Sequence, residues 1–245
     1  MKLKLLYIIS ITFSLCLLLI TIYIKKNIKV KYNSNTQISV LMYSDKYNKT
    51  IENILNSITK YKNISDIIVI YRDTKPKFIH SKINYKKDER IKDYSSFIRF
   101  FYVSSCKNKN ILLLNNDILP GERLLKKLIY RYDKDNENYY GIFQRSCDKS
   151  GYHTISLYNN IIISPIILTS RDVLEKSWES MKESQDKMKE QREMDDILFQ
   201  YYFEKIYGKQ PVVVKGSYKI LSPTLNYLKN YKKKNEYCKD LYKNF

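Results

Sequence analysis

From residue 38 onwards, short apolar runs alternate with segments in which apolar residues recur at helical spacing. Three runs consist mainly of Ile, Leu, Val, Met and Tyr and precede polar residues: Ile38–Ser44, Ile67–Tyr71 and Ile111–Leu114. Apolar runs of this length, bounded by turn residues, are typical of strands buried on both faces of a sheet. Helical spacing over 51–58, with Thr50 as a candidate N-cap, predicts a helix between the first two runs. A strand, a helix and a strand in succession form a βαβ unit, whose strands are parallel.

The rest of the chain continues this alternation. Strands are predicted at 78–85, 139–145, 154–158, 161–167 and 211–215. Helices are predicted at 94–106, 122–132 and 197–207, the last ending at Gly208, and another helix begins after Ser170 as its N-cap. The segment 147–152 is predicted as a turn, and the polar stretch 179–192 as either an exposed helix extension or a flap. The whole pattern predicts an α/β fold with a mixed, mainly parallel sheet flanked by helices.

The N-terminal segment Leu5–Ile24 contains no charged residue. About twenty apolar residues suffice to cross a bilayer as a helix. The long apolar core and the lack of a small-residue cleavage site favour an uncleaved anchor over a cleaved signal peptide. The predicted division is a tail at 1–4, a transmembrane segment at 5–24, a stem at 25–37, an α/β domain at 38–222 and a basic tail at 223–245.

The orientation of this anchor is open. More lysines follow the apolar segment than precede it, which favours a cytosolic domain. A signal anchor that sends the domain into the lumen is equally consistent with the short N-terminal tail. The sequons at Asn48 and Asn63 would then permit glycosylation.

Composition excludes several classes of protein. The formal net charge of +19 normally indicates a nucleic-acid or anionic-membrane partner. However, the chain contains no alanine and its lysines are scattered, which points to an AT-rich genome, and no arginine-rich patch or zinc-finger spacing is present. The sequence therefore predicts no nucleic-acid partner, although the charge suits anionic substrates. The four cysteines include no C-x-x-C pair, which argues against a zinc site, and one bridge between Cys147 and Cys238 is left open.

The candidate chemistry begins with Asn115, Asn116 and Asp117, which directly follow the third buried run. Polar groups at the carboxyl end of such a strand lie where open α/β sheets bind their ligands. An aspartate there can hold a hard cation through its oxygens, and the cation can hold a diphosphate. The alternative is an Asx-turn in which these residues serve only the turn geometry. This stretch alone does not decide between the two.

Six segments together resemble a known class of enzymes: 38–44 with Lys49 and Thr50, 67–73, 96–100, 111–120, 141–145 with Tyr152, and 194–212. In this order they resemble the GT-A class of nucleotide-sugar glycosyltransferases, most closely the exostosin-type family and the neighbouring family-two group. The resemblance covers residues 38–220. No segment is specific alone, so that the resemblance depends on all six segments occurring in this order.

The resemblance implies roles for residues that bind the donor and the acceptor. Tyr43 and Asp73 would lie where the nucleotide base binds, with Tyr43 able to stack on the base. Arg99 would make a charge-assisted contact with the diphosphate or the donor sugar. Arg145 matches an arginine near the acceptor side.

The D-x-D signature of the family matches Asn115, Asn116 and Asp117. Asp117, at the last position, is implied as the ligand of Mn²⁺ or Mg²⁺. Asn115 and Asn116 would hydrogen-bond ribose or a metal-bound water through their side-chain oxygens. The family usually has acidic residues at the first or middle position, so this chain supplies less negative charge and should bind metal more weakly.

Two further acidic residues, Asp195 and Asp196, match the Glu-Asp pair that opens a late helix in the family. Asp196 would face the sugar. It would deprotonate the acceptor hydroxyl in an inverting enzyme, or stabilise the oxocarbenium-like centre or orient the acceptor in a retaining one. Asp195 would touch the donor or acceptor sugar. A carboxylate at a helix start is also favoured electrostatically in any protein, which is the structural alternative.

The resemblance thus implies a membrane-anchored glycosyltransferase of hexosyl or N-acetylhexosaminyl type. It would transfer a sugar from a nucleotide-diphosphate sugar, with a UDP-sugar favoured, to a hydroxyl of a glycan or glycoprotein, with a divalent metal. Localisation as a type II protein of the endoplasmic reticulum or Golgi suits that class. The alternative is a catalytically inactive GT-A relative that acts as a glycan-binding or scaffold protein, which the two asparagines favour.

Overall fold

The computed structural model describes residues 13–15, 17, 35–45, 49–153, 161–183, 185–190, 194–221 and 231–243. Residues 13–15 and 17 are helical. Within the described residues, no helix combines the length and apolar character needed to cross a bilayer. The predicted transmembrane segment at 5–24 and the stem at 25–37 lie mostly outside these residues, and the strand predicted at 154–158 lies wholly outside them.

Strands and helices alternate through most of the described chain. The strands are β1 (Ile38–Ser44), β2 (Ile64–Tyr71), β3 (Ile83–Lys87), β4 (Asn110–Leu114), β5 (Ile118–Pro120), β6 (Tyr140–Asp148), β7 (Gly151–His153), β8 (Ile161–Ser170), β9 (Val212–Val213) and β10 (Tyr218–Ile220). The helices are α1 (Lys49–Ile58), α2 (Ile91–Tyr94), α3 (Glu122–Tyr132), α4 (Arg171–Lys182), α5 (Gln185–Glu190), α6 (Asp195–Tyr207) and α7 (Tyr231–Leu241). A 3₁₀ helix, Ser95–Ser105, directly follows α2.

The main sheet has the strand order β3-β2-β1-β4-β8-β6-β7, with β9 beside β6. Strand β1 is parallel to both β2 and β4, and β2 is parallel to β3. Strand β8 is antiparallel to β4 and β6, so the strand direction reverses between β4 and β8. Strands β5 and β10 form a separate antiparallel pair. The predicted α/β fold, with a mixed, mainly parallel sheet flanked by helices, is confirmed.

Apolar side chains cover both faces of the sheet, because successive residues of a strand point to opposite sides. In β1, Val40 and Met42 belong to the core that includes apolar residues of α1 and α3. Leu41 belongs to the core on the other face, with residues of the 3₁₀ helix, α4 and α6. Burial on both faces explains why these strands are continuous apolar runs in the sequence. Because both faces of the sheet are buried in this way, ligands can reach the ends of the strands but not the faces.

Several predicted boundaries agree with the structure. Strand β1 and helix α3 begin and end where the sequence pattern places them. Ser170 caps α4, because its side-chain oxygen accepts a hydrogen bond from the backbone N–H of Val173 at 3.2 Å. Gly208 ends α6 in the left-handed conformation, with φ 58°. These signals are local, which is why the sequence alone reveals them.

Three local predictions are wrong. Thr50 is not an N-cap, because α1 already begins one residue earlier. The edge strand covers 83–87 rather than 78–85, because its pairing with β2 begins only at residue 83. The segment 94–106 is not one α-helix, since Ser95 has φ 47° and separates α2 from the 3₁₀ helix.

The segment expected to be a basic tail contains α7, which packs against the hairpin of β6 and β7. Cys238 of α7 forms a disulfide with Cys147 of β6, which is the bridge that the sequence left open. The side-chain oxygen of Asn235 accepts a hydrogen bond from the backbone N–H of Tyr152 at 2.9 Å. Gly151 has φ 123°, and a Cβ at this position would lie 1.9 Å from Asn235 Oδ1. A glycine here therefore allows α7 to approach the hairpin, where the sequence predicted only a turn.

Candidate functional site

Two neighbouring parallel strands bring predicted site residues to one edge of the sheet. Strand β1 ends at Ser44, strand β4 ends at Leu114, and the two pair in parallel. Tyr43 is the penultimate residue of β1, and Asn115 directly follows β4. Both residues therefore lie at the carboxyl ends of the strands, which is the edge where open α/β sheets bind their ligands.

Arg99 connects three elements at this edge, and its side chain is only 1% exposed. Its Nε donates a hydrogen bond to the carbonyl oxygen of Ser96 at 3.1 Å. Its Nη1 donates to Asn115 Oδ1 at 3.0 Å, and its Nη2 donates to Asp195 Oδ2 at 2.7 Å. Because the guanidinium donors form a rigid fork, these bonds fix the 3₁₀ helix, the end of β4 and the start of α6 relative to one another.

The ion pair between Arg99 and Asp195 is shielded from solvent, since the Asp195 side chain is 12% exposed. Removing two charges from water costs free energy, which their mutual attraction and hydrogen bonds must offset. Backbone strain accompanies the pair. Ser95, which begins the 3₁₀ helix, has φ 47°, a conformation that non-glycine residues rarely adopt. Buried charge and strained backbone at a ligand-binding edge are both features that concentrate at functional sites.

Tyr43 lies among charges of both signs, with its ring centroid 5.5 Å from the Arg99 guanidinium carbon. Burial raises the pKa of Tyr43 above its ordinary value, and the Arg99 guanidinium opposes that shift. The carboxylates of Asp195 and Asp117 raise this pKa, and a side-chain hydrogen bond with Ser95 lowers it. Tyr43 is therefore protonated at neutral pH and can act as a hydrogen-bond donor. Asp117 follows the end of β4 by three residues, which places it at the same edge of the sheet.

The turn between β4 and β5 consists of the partly exposed residues Asn115, Asn116 and Asp117. The backbone N–H of Asn115 donates to the carbonyl oxygen of Pro165 at 2.9 Å. The carbonyl oxygen of Asp117 accepts a hydrogen bond from the backbone N–H of Leu221 at 2.8 Å. Long-range backbone bonds thus fix both ends of the turn.

Two carboxylates open α6, and each lies beside its own cation. Asp195 binds Arg99, as described above. Asp196 is 5% exposed, its Oδ2 lies 3.6 Å from the Nζ of Lys234, and its Oδ1 accepts a hydrogen bond from the backbone N–H of Ile197 at 3.0 Å. Burial raises the pKa of Asp196, the ammonium of Lys234 opposes this rise, and the neighbouring Asp195 adds to it. A carboxylate whose pKa is raised toward neutrality is well suited to accept a proton.

The two remaining predicted residues lie in other surroundings. Asp73 follows β2 and pairs with Arg72, with Nε 2.9 Å from Oδ1, and Arg72 also pairs with Asp45 at 2.9 Å. This group lies at the same edge of the sheet, at the ends of β1 and β2. Arg145 lies on β6, opposite Ile161 of β8, which places it two strands from β4.

Lys234 is the residue of this cluster that the sequence analysis missed. The chain contains 44 lysines and arginines, so that a single lysine in a polar segment gives no signal. The sequence signal that could have located Lys234 is the possible bridge between Cys147 and Cys238. This bridge brings the segment before Cys238 to the hairpin of β6 and β7.

A cavity of about 510 Å³ lies away from this cluster, between the 3₁₀ helix and α4. Phe100 and Trp178 line it, and their rings stack with centroids 5.7 Å apart. Its lining includes none of the predicted site residues. The chemistry at the strand ends, rather than this cavity, therefore defines the candidate site.

The candidate site offers little for a resident metal ion. Within the described residues, no group of three His, Cys, Asp or Glu side chains is arranged to hold one. Arg99 and Lys234 pair with the carboxylates of Asp195 and Asp196, which leaves Asp117 as the acidic side chain of the turn. One carboxylate suits Mg²⁺ or Mn²⁺ when substrate phosphates and waters supply the other oxygens. Asp117 would supply that one carboxylate, so that a metal-binding role for this residue stays a prediction.

Comparison with known proteins shows similarity at the level of the fold. No family model and no curated protein matches the sequence. A solved structure titled 4-diphosphocytidyl-2C-methyl-D-erythritolsynthase, from Anaerococcus prevotii DSM 20548, has a TM-score of 0.56 at 15% identity and covers 83% of this chain and 99% of that chain. A structure of GalNAc-T7 with UDP, GalNAc and Mn²⁺ has a TM-score of 0.46 at 10% identity and covers 56% of this chain and 35% of that one. The first likeness supports a GT-A-like fold, whereas membership of the exostosin-type family or the family-two group stays a prediction.

Proposed function

We propose that this protein is a glycosyltransferase that transfers a hexose or N-acetylhexosamine from a nucleotide-diphosphate sugar to a hydroxyl group. The observation that carries the proposal is the cluster of Tyr43, Arg99, Asn115, Asp117 and Asp195 at the carboxyl ends of β1 and β4. These residues come from segments far apart in sequence. Their convergence at the ligand-binding edge supports the donor site that the sequence resemblance implies.

In this proposal, Asp117 holds Mn²⁺ or Mg²⁺ together with the donor diphosphate. The cation, when bound, offsets the negative charge that develops on the leaving diphosphate. Tyr43 and Asp73 line the binding region of the base, and Asn116 contacts the ribose. Arg99 orients Asn115 and Asp195, since its buried guanidinium binds both.

Asp196 is the proposed catalytic residue, with Asp195 beside it in contact with the donor or acceptor sugar. In an inverting reaction, Asp196 accepts the proton of the acceptor hydroxyl, and burial raises its pKa in the direction that such a base requires. In a retaining reaction, the same carboxylate stabilises positive charge at the sugar. Arg145, two strands away, is assigned to the acceptor side.

A thermal-shift experiment on the full-length protein tests this proposal. UDP and GDP are added with and without Mn²⁺, because a ligand that binds only the folded state raises its Tm. We expect stabilisation by a nucleotide, with UDP favoured, only when Mn²⁺ is present. The absence of a shift with every nucleotide, for a sample with a cooperative transition, would contradict the donor site.

Replacing Asp117 with Asn is expected to abolish this metal-dependent shift. The variant keeps the size of the side chain but removes its charge, and a neutral amide holds a divalent cation much more weakly. Asp93, which is exposed on α2, provides the matched control as Asp93→Asn. If Asp117→Asn retains the wild-type shift and the same Mn²⁺ dependence, Asp117 is not the metal ligand.

The second candidate function is that of an inactive relative that binds glycans or serves as a scaffold. Asn115 and Asn116 favour it, because they supply no charge where the family usually has acids. In this case no nucleotide shifts the Tm, with or without metal. Soluble glycans that stabilise the protein in the same assay would then support the second function.

The proposal includes a type II orientation in the endoplasmic reticulum or Golgi. The disulfide between Cys147 and Cys238 supports it, because disulfides form and persist in oxidising compartments. A protease-protection assay on intact membranes distinguishes the two orientations. Digestion of the α/β domain by protease added from the cytosolic side would contradict this orientation.

A further inference from the structure

Helix α7 is attached to two parts of the fold, the β6–β7 hairpin and α6, which carries Asp196. The disulfide between Cys238 and Cys147 joins it to β6, and Asn235 binds the backbone of β7. On the other side, the hydroxyl of Tyr242, just beyond α7, donates a hydrogen bond to Glu204 Oε2 of α6 at 2.9 Å. The helix is thus fixed to both the β6–β7 hairpin and α6.

These attachments place Lys234 in a position that is largely shielded from solvent. Its side chain is 12% exposed, and its Nζ lies 3.6 Å from Asp196 Oδ2 and 5.7 Å from the centroid of the Tyr152 ring. A lysine is rarely buried unless an anion compensates its charge. Asp196 thus compensates the charge of Lys234, and Asp196 gains a counter-charge that comes from α7 rather than from its own helix.

We propose that Lys234 is the positioning residue for Asp196, and that α7 is a structural component of the transfer site. This inference rests on the proposed function, in which Asp196 faces the sugar. Among the residues that the structure describes, the charged groups that act on Asp196 are Asp195 of the same helix and Lys234 of α7. Arg99 already pairs with Asp195, so that Lys234 is the cation beside Asp196 in the part of the chain that the structure describes. Its charge opposes the rise that burial causes in the pKa of Asp196, and its position favours one orientation of the carboxylate.

The pairing is tested first without any substrate, through the pH dependence of thermal unfolding. Lys234→Met removes the cation and keeps an unbranched side chain. Asp196 would then be buried without a counter-charge, and its pKa would rise further. The folded variant therefore loses Tm relative to wild type as pH rises above the ordinary carboxyl pKa, and it regains Tm on acidification.

Two further variants make this experiment specific. Lys232→Met removes an exposed lysine of the same helix and is expected to leave the pH dependence unchanged. Adding Asp196→Asn to Lys234→Met is expected to remove the extra pH dependence, because no buried carboxylate is left to titrate. A loss of Tm in Lys234→Met that is equal at all pH values, or unaffected by Asp196→Asn, would overturn the pairing.

The pH profile of catalysis tests the positioning role. UDP release from a panel of UDP-hexoses and UDP-N-acetylhexosamines with Mn²⁺ is measured for wild type, Lys234→Met and Lys234→Arg. In the plot of rate against pH, the fall in rate on the acid side is expected to move to higher pH by roughly one to three units in Lys234→Met. An opposite charge nearby lowers a carboxyl pKa by about that amount, so that its removal raises the pKa of Asp196. Lys234→Arg, which keeps the cation, is expected to restore most of the profile.

The outcomes separate this inference from the proposed function. An unchanged fall in rate on the acid side in Lys234→Met, in a protein that binds UDP with Mn²⁺ and turns over a donor, overturns the positioning role and leaves the proposed function intact. If no nucleotide shifts the Tm of the wild-type protein, the proposed function is contradicted, and the catalytic role of Asp196 is contradicted with it. In that case the unfolding experiment still decides whether Lys234 holds Asp196.

Discussion

Replacing Asp196 with Asn is expected to suppress sugar transfer by about 10²–10⁴-fold while leaving nucleotide binding in place. The amide has nearly the shape of the carboxylate, but it neither accepts a proton nor stabilises positive charge at the sugar. The diphosphate is assigned to Asp117, in the turn after β4, so that donor affinity does not depend on this change. Release of UDP from the UDP-sugar that the wild type turns over measures the loss, and the thermal shift with UDP and Mn²⁺ reports nucleotide binding.

The control for this experiment is Asp186→Asn, which makes the same change on the exposed surface of α5. The loss of the carboxylate in Asp196→Asn leaves the partly shielded ammonium of Lys234 without this counter-charge, so some loss of Tm is expected. Rates are therefore compared at a temperature where both variants are folded. Transfer by Asp196→Asn at a rate near that of wild type would show that another group performs the reaction.

Replacing Arg99 with Met is expected to lower the free energy of unfolding by about 3–5 kcal/mol, which is the usual cost of breaking a buried ion pair on one side. The variant leaves the Asp195 carboxylate buried without its cation and Asn115 Oδ1 without its donor. Denaturant unfolding of the full-length protein, analysed by the linear extrapolation of the transition, measures the loss.

A double variant separates the charge from the packing. Arg99→Met combined with Asp195→Asn removes both members of the pair, and we expect it to be more stable than Arg99→Met alone. Lys126→Met, which breaks the exposed pair with Glu122 on α3, is expected to cost no more than about 0.5 kcal/mol. Equal losses for Arg99→Met and Lys126→Met would show that the Arg99 pair does not hold the site together.

The parts of the fold that the sequence predicted depend on local signals. A few neighbouring residues suffice to predict the buried run at Ile111–Leu114, the helix cap at Ser170 and the helix end at Gly208. Burial, capping and left-handed backbone each have strong residue preferences. The turn at 115–117 could be placed at the ligand-binding edge for the same reason, since its position follows from the end of a strand.

The contacts within the site required the structure. Arg99 and Asp195 are 96 residues apart in sequence, and neither residue type indicates its partner. The 3₁₀ helix was also unpredictable in detail, because the deviation at Ser95 arises where backbone strain is imposed by the surrounding fold. Lys234 lies in a segment whose burial depends on a disulfide to a distant strand, so that its composition alone suggested only an exposed tail.

The position of α7 in the chain has a consequence for the order in which the site is assembled. Protein synthesis proceeds from the N-terminus, so that β1, β4 and α6 are all made before α7. The Arg99–Asp195 pair lies within that earlier part, whereas the partner of Asp196 does not exist until α7 emerges. A nascent chain can therefore contain every strand of the main sheet and still have an incomplete site. The site is therefore completed late in synthesis, and oxidation of Cys147 and Cys238 then ties α7 covalently to β6.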